Sequence, residues 1–549
     1  VLRRDFLIAS PKIAGFASLA PSLTWIGLGP ILLRAQSGAP IQGAKNILDY
    51  GAKPNGKSLC TSAIQRAIDE VSATGSGTVF APAGKFLIAG LELKSGVTLY
   101  LDEGCTLLGS ASMDDYRNSD ARHVLFAKNA DGVTLSGPGV IDGQGPAFWE
   151  RSDRPPASPD GEWKDVATHS TQVKKGGRPS PMVQFEECRN LHINGVTFAN
   201  SAGRTLQSLA CDTVTIDGIR IRNPPFGINT DGIDIVASRN VSLSNCDIAT
   251  GDDAICLKSP SPYGDSLPTR NITVTNCRLT TSCNGFKIGT ETHGAFENIS
   301  FTNSVVYSDP NGPLNQRVIS GVSLEVADGG SIDGVTVSGI RMQYVRAPIF
   351  VRLEQRDGGD NFFLRNVHFD GIEAVGAIVT SSITGMQGLR PAGITIANSH
   401  IHTLEQGRAD WAARDIPEAP DKYPEAWMMG RLPAYGFYIR HADRVELHNV
   451  EIVADQPDER PAIVCDDVQK ATFATLSLSA PASGAPVFDL RNSRQVVISG
   501  MQAPAGSKVL AQVSGSDSSG IQLTADTLAP GQQPFSITGG APPHAASAE

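Results

Sequence analysis

Four aspartates crowd into two short runs of this chain. Asp231 and Asp234 lie in Asn229-Thr-Asp-Gly-Ile-Asp-Ile235, and Asp252 and Asp253 in Gly251-Asp-Asp-Ala-Ile-Cys-Leu-Lys-Ser259. Carboxylates this close repel one another, so a sequence shaped only for stability avoids the arrangement. In such a cluster one carboxyl can keep its proton near neutral pH while a neighbour stays ionised. Inverting hydrolysis of a glycosidic bond needs that division of labour: an acid for the leaving oxygen and a base for water, about 6.5–9.5 Å apart. A calcium site, or a ladder of Asp and Asn capping turns, would use the same residue types, and the residues alone leave these readings open. Cations stand close by. If Ile255, Leu257, Phe286 and Ile288 point inward, Lys258 and Lys287 point outward beside the aspartates, with Glu291 just beyond and Arg352 ending a later run.

The elements that must position these groups announce themselves by repetition. Arg189-Asn-Leu-His-Ile193 recurs as Arg239-Asn-Val-Ser-Leu243, Arg270-Asn-Ile-Thr-Val274, Glu297-Asn-Ile-Ser-Phe301 and Arg365-Asn-Val-His-Phe369. Each phrase reads as a turn followed by a strand with apolar residues at alternate positions. One such unit cannot bury its own apolar face, but stacked units bury a continuous one. The expectation is an all-β chain, a right-handed parallel β-helix, rather than a propeller or a sandwich of hairpins. Asp231 and Asp252 are 21 residues apart, close to one coil, so their motifs should be stacked neighbours. Thr61 through Val71 has helical spacing behind a Thr/Ser start and should cap the open end of the sheet.

The rest of the chain is organised around that solenoid. We expect an export signal over residues 1–40, a catalytic β-helix over 41–500, and C-terminal coils with a flexible tail over 501–549. Val1-Leu-Arg-Arg-Asp-Phe-Leu7 and the apolar stretch after it resemble a twin-arginine signal, which places the mature protein in the periplasm or outside the cell. Residues 149–181 and 404–436 break the rhythm and should rise on one face to shape a groove. The second carries Trp411, Tyr423, Trp427, Met428 and Met429, which implies packing over the helix body or over a substrate.

Composition agrees with many short strands and tight turns: 56 glycines and 35 prolines, with aromatic residues at 6%. A net charge of −10 argues against a nucleic-acid or anionic-membrane partner. No second segment is apolar and long enough for stable membrane insertion of the mature chain. The nine cysteines include no CxxC pair, and buried free thiols in a stacked core are the expected reading.

At the aspartate motifs the chain resembles glycoside hydrolase family 28, the polygalacturonase family of right-handed β-helices. Asn229-Thr230-Asp231 and Gly251-Asp252-Asp253 match its signatures. Asp49-Tyr-Gly-Ala52, Pro82-Ala-Gly84, Gly137-Pro-Gly-Val-Ile-Asp-Gly143 and Asn200-Ser201 fit as well. The likeness spans roughly residues 44–375. It implies single-displacement inversion without metal or other cofactor, on a pectic or related poly- or oligosaccharide. Asp252 would be the acid, and Asp231 and Asp253 would hold the water. Asn229, Asp234, Lys258, Asn284, Lys287, Glu291, Glu325 and Arg352 would contact the sugar.

Departures from the family pattern are equally specific. Its Gly-His-Gly motif falls on Cys283-Asn284-Gly285, and its Arg-Ile-Lys motif on Ser323-Leu324-Glu325. Ala202-Gly-Arg-Thr-Leu206 replaces an aromatic-rich stretch. Glu325 is thus expected to repel a galacturonate carboxylate and to bond the hydroxyls of a neutral sugar instead. The insertions suggest exo action by blocking one end of a groove. A β-helix polysaccharide lyase and a non-catalytic glycan-binding β-helix are the competing readings.

Overall fold

The structure, a computed structural model, describes residues 42–116, 122–152, 171–260, 266–357, 362–482, 484–524 and 528–548. The segment expected to be an export signal and most of the first insertion lie outside these residues.

Among the described residues, 42 strands join one sheet that winds as a parallel β-helix. The recurring phrase explains how. In Asp212–Asp217, Val214 and Ile216 are buried while their neighbours are open to solvent. Parallel pairing sets each residue above its counterpart one coil away: Val183 on Leu206, Leu206 on Ile233, Ile233 on Ile255, Ile255 on Phe286. A stack of aliphatic side chains therefore fills the interior, with coils about 4.8 Å apart.

The asparagine of each phrase makes the corner. Asn240, Asn271 and Asn298 have φ of 58°, 55° and 53°, left-handed values that asparagine tolerates because its short amide can bond locally. The amides also stack. Asn271 Nδ2 donates to Asn240 Oδ1 at 2.9 Å, and Asn298 Nδ2 to Asn271 Oδ1 at 3.0 Å. All nine cysteines are buried and unpaired in disulfides, as expected of small apolar spacers.

An α-helix, Thr61–Ala73, covers the first coil and buries Ile64, Ala67, Ile68 and Val71. Its N-cap is Cys60, and the Thr61 hydroxyl instead accepts from the Ala89 amide. At the other end the coils run further than expected. Ile521–Thr524 pairs with Ala546–Ala548, and Val509–Ser514 with Gln533–Thr538. The C-terminal stretch through residue 548 therefore belongs to the same stack instead of ending in a tail. No described helix is long and apolar enough to cross a membrane.

One outward slot runs along the strands that carry the aspartates. From coil to coil it holds Gln184, Gln207, Asp234, Cys256, Lys287 and Ser323. Phe350, Ser382, Tyr438 and Val464 follow. The second insertion lies over this later part. Ile416, Ala426, Met428, Met429 and Leu432 form with Phe350, Tyr438 and Val464 an apolar cluster outside the helix interior. Strands Ser320–Val326 and Ala347–Leu353 are in consequence buried on both faces. Arg460 ties down the insertion from below, donating to Asp458, Glu405 and the Leu432 carbonyl. Trp427 and both methionines of the insertion thus pack on the helix body, while Trp411 lies against the Arg431 and Arg460 guanidinium groups.

Candidate active site

Two adjacent coils hold the aspartates by backbone bonds that leave little play. The Gly232 amide donates to the Asp253 carbonyl and the Ile233 amide to that of Ala254. Thr230 locks the turn: its hydroxyl donates to the Gly227 carbonyl at 3.0 Å and accepts from the Gly251 amide at 3.1 Å. Thr250 reaches back to the Thr230 carbonyl. At Gly251 a Cβ would lie 2.6 Å from the Gly227 oxygen, so the chain can cross there only as glycine.

Asp231, Asp252 and Asp253 are 4%, 8% and 3% exposed. Asp252 is the most accessible of the three, and its Oδ1 accepts from the Asp253 amide at 2.8 Å. Asp253 is held from the next coil, where the Asn284 amide nitrogen and Nδ2 both donate to its Oδ1, at 3.0 and 2.9 Å. Burial pushes the Asp231 carboxyl well above the usual range, and Asp234 and Asp252 add to the push. Burial raises Asp234 to about 6, against the pull of Lys258 and Arg204. The cluster therefore keeps a proton at a pH where isolated carboxyls have lost theirs.

Charged networks flank it on two sides. On one, Lys258 Nζ is 2.9 Å from Glu291 and 4.0 Å from Asp231. Arg204 lies 3.3 Å from Glu291 and 3.8 Å from Asp234, with 36% of its side chain exposed. Although burial opposes it, Lys258 and Arg204 hold the Glu291 carboxyl down at about 2. Arg178 lies half-buried nearby and donates to the Ala202 and Ile228 carbonyls and to Asn229 Oδ1. On the other side Lys287 is enclosed among carboxylates, 3.4 Å from Asp253, 3.5 Å from Glu325 and 3.8 Å from Glu425. Tyr423 lies over it, ring centroid 5.0 Å away, with half its own surface open.

The aspartates and the charged groups of their coils sit within the stretch, residues 72–403, that matches the profile of glycosyl hydrolases family 28, while Tyr423 and Glu425 come from beyond it. The chain belongs to that family. It is 24% identical over 445 residues to a probable polygalacturonase of Vitis vinifera, an alignment covering 73% of this chain and 85% of that protein. It is 27% identical over 359 residues to an endo-polygalacturonase of Pectobacterium carotovorum subsp. carotovorum, covering 62% and 84%. Among solved structures, an exopolygalacturonase from Thermotoga maritima shares the fold, with a TM-score of 0.57 at 20% identity, over 76% of this chain and 93% of that one. This family 28 protein is a glycoside hydrolase.

Asp231, Asp234, Asp252, Asp253, Lys258, Asn284, Lys287 and Glu291 come together as the spacing implied, and Asn229 stands exposed at the rim on Arg178. Two further expected sugar contacts, Glu325 and Arg352, are covered, as Asp234, Asn284 and Lys287 are. Glu325 is fully enclosed, its Oε1 accepts from the Ser323 hydroxyl at 2.6 Å, and burial raises it to about 8. Its enclosure beside Lys287, and the push of burial toward the protonated form, weaken the repulsion expected from Ser323 and Glu325. Arg352 is equally covered. It donates to Glu354 at 2.8 Å and to the Glu418 carbonyl at 2.7 Å, and so braces the insertion.

Sequence reasoning missed Arg178, Arg204 and Glu425 at or beside the centre, and named Tyr423 only among the packing residues of the second insertion. All four stand in segments already singled out. Glu425 gave no signal, because nothing in its neighbourhood fixes which coil the insertion folds onto. Asp252, Asp253 and Cys283 come close enough to meet on one ion. Burial, with Asp253 adding to it, keeps the Cys283 thiol protonated, and the Lys287 ammonium already supplies a cation to Asp253. The donor set therefore does not suit a resident metal.

Proposed function

We propose that this hydrolase cleaves, with inversion at the anomeric carbon, the terminal linkage of a galacturonate-containing pectic chain. The insertion carries that reading: Tyr423 and Glu425 close the slot immediately beyond Lys287, while the slot continues polar through Asp234, Gln207 and Gln184 on the other side. A chain can enter such a site from one direction only. Arg204 and Arg178, part-exposed beside the aspartates, are the groups suited to a substrate carboxylate, since guanidinium matches its geometry. The relatives named polygalacturonases support the same substrate class.

Asp252, the most accessible of the three aspartates, would protonate the leaving oxygen, and Asp231 and Asp253 would hold the attacking water. The Arg3-Arg4 segment supports export, to where such polymers are found. Polygalacturonate and its defined oligomers supply the test. The expected early product is a single short species, with viscosity falling slowly and the new anomer opposite to the bond cleaved. A ladder of random oligomers would overturn the terminal reading. Hydrolysis confined to neutral glycans would overturn the uronate.

A further inference from the structure

Glu425 reaches the aspartate cluster from the insertion, not from the coils. Groups on four coils face its carboxyl. Cys283 Sγ lies 3.7 Å from Oε1, Asn284 Nδ2 lies 3.4 Å from both oxygens, and Lys287 Nζ lies 3.8 Å away. Asp252 and Asp253 act on it through space, as do Glu325, Arg346 and the neighbouring Tyr423. Each of these contacts of the carboxyl is long, whereas the same Asn284 Nδ2 makes a 2.9 Å bond to Asp253 Oδ1. Asn284 is therefore shared between a reacting carboxylate and a buried one that belongs to another part of the chain.

We propose that Glu425 is a positioning residue of this hydrolase: through Asn284 it fixes Asp253, and its charge state governs how firmly the aspartate cluster keeps the proton that the leaving oxygen needs. The insertion is then part of the catalytic apparatus as well as the wall of the slot. Burial raises the Glu425 carboxyl to about 7, with Lys287 pulling the other way and Asp253 and Asp252 adding to the rise. When Glu425 ionises, a negative charge appears beside the cluster and opposes loss of its proton. It also competes with Asp253 for Lys287, which acts in the same direction. Removing the charge should let that proton go at lower pH.

The inference rests on the aspartates as the hydrolytic centre, and not on which sugar is cleaved. The experiment is Glu425→Gln in the full chain, with Glu425→Asp as the conservative partner. The alkaline limb of kcat/KM should move about one pH unit downward in the glutamine variant, so the ratio of wild type to variant grows about tenfold between the plateau and the limb. Glu425→Asp should restore most of the limb. A loss of equal size at every pH, or an unmoved limb, would overturn the proposal. Difference infrared spectroscopy gives a second reading that needs no substrate. Beside the other buried carboxyls, the wild type should lose one further protonated-carboxyl band as pH passes about 7, and that band should appear in the difference between wild type and the glutamine variant. If the two proteins lose the same absorption across that range, the proposal fails even when no cleavable glycan has been found. If the wild type shows the band but cleaves no galacturonate chain, only the substrate reading fails.

Discussion

Two halves of one slot use the same backbone and present opposite surfaces. Through the coils of Gln184, Gln207, Asp234 and Lys287 the slot is mostly polar and runs beside the aspartates. Beyond Ser323 the same register positions hold Phe350, Tyr438 and Val464 and lie under the insertion. Parallel stacking offers every coil an equivalent outward position, so side-chain type alone decides whether a coil meets sugar or the chain's own plug. Each large apolar group covered there gains about 1.5–3 kcal/mol over exposure, which helps offset the cost of ordering a long segment. Two arginines make the same point. Arg204 keeps a third of its side chain open beside the aspartates, whereas Arg352 is covered and spends its donors on Glu354 and the insertion.

The sharpest break between the halves should be at Asp252. Asp252→Asn is expected to lower kcat by roughly 10²–10⁴, the contribution of a positioned proton donor, with no loss of melting temperature. Near wild-type turnover in that variant would remove Asp252 from the role of acid.

The two arginines should then fail in different ways. Arg204→Ala should raise KM on a uronate chain by about 10–100-fold, the scale of one charge-assisted contact, and leave the melting temperature close to wild type. Arg352→Met should do the reverse. It strands Glu354 uncompensated and unbraces the insertion, at about 3 kcal/mol of stability. Equal KM effects from the two variants would mean that the halves do not differ as described.

A smaller effect concerns pH and stability. Burial raises Glu425 and Glu325 to about 7 and about 8, above an ordinary glutamate value of 4.5. The folded state therefore binds more protons than the unfolded state across that window. Their contribution is complete below about 4.5 and is lost as pH rises through the folded values. For Glu425 the change amounts to about 3 kcal/mol at most, taking 1.36 kcal/mol per pH unit. Urea melts of Glu425→Gln and the wild type at pH 5 and pH 8 test this: the variant should gain on the wild type at the higher pH. The smallest effect expected is from a chelator. Exhaustive treatment should leave activity intact, because the Lys287 ammonium already supplies a cation to Asp253; loss that calcium restores would reverse that reading.

How far the sequence reaches follows from what each interaction depends on. The helix, its coils and the stacking of Asp231 on the Asp252 turn follow from local rules: alternate burial, left-handed asparagines at corners, and a repeat that cannot bury its own face. Those rules act within one coil and its neighbour, so Asp231, Asp234, Asp252, Asp253, Lys258 and Lys287 could be placed from residue order. Where a side chain's meaning depends on what covers it, order is silent. Glu325 and Arg352 sit at outward positions and read as sugar contacts, yet the insertion encloses both. Glu425 joins the centre from 141 residues beyond Asn284, a distance along the chain over which no repeat carries information. The sequence by itself determined the solenoid and its ladder of reactive groups, because each coil templates the next. Only the tertiary structure decided which rungs face solvent, because a long insertion finds its place by apolar fit and buried charge pairing, and neither leaves a periodic trace.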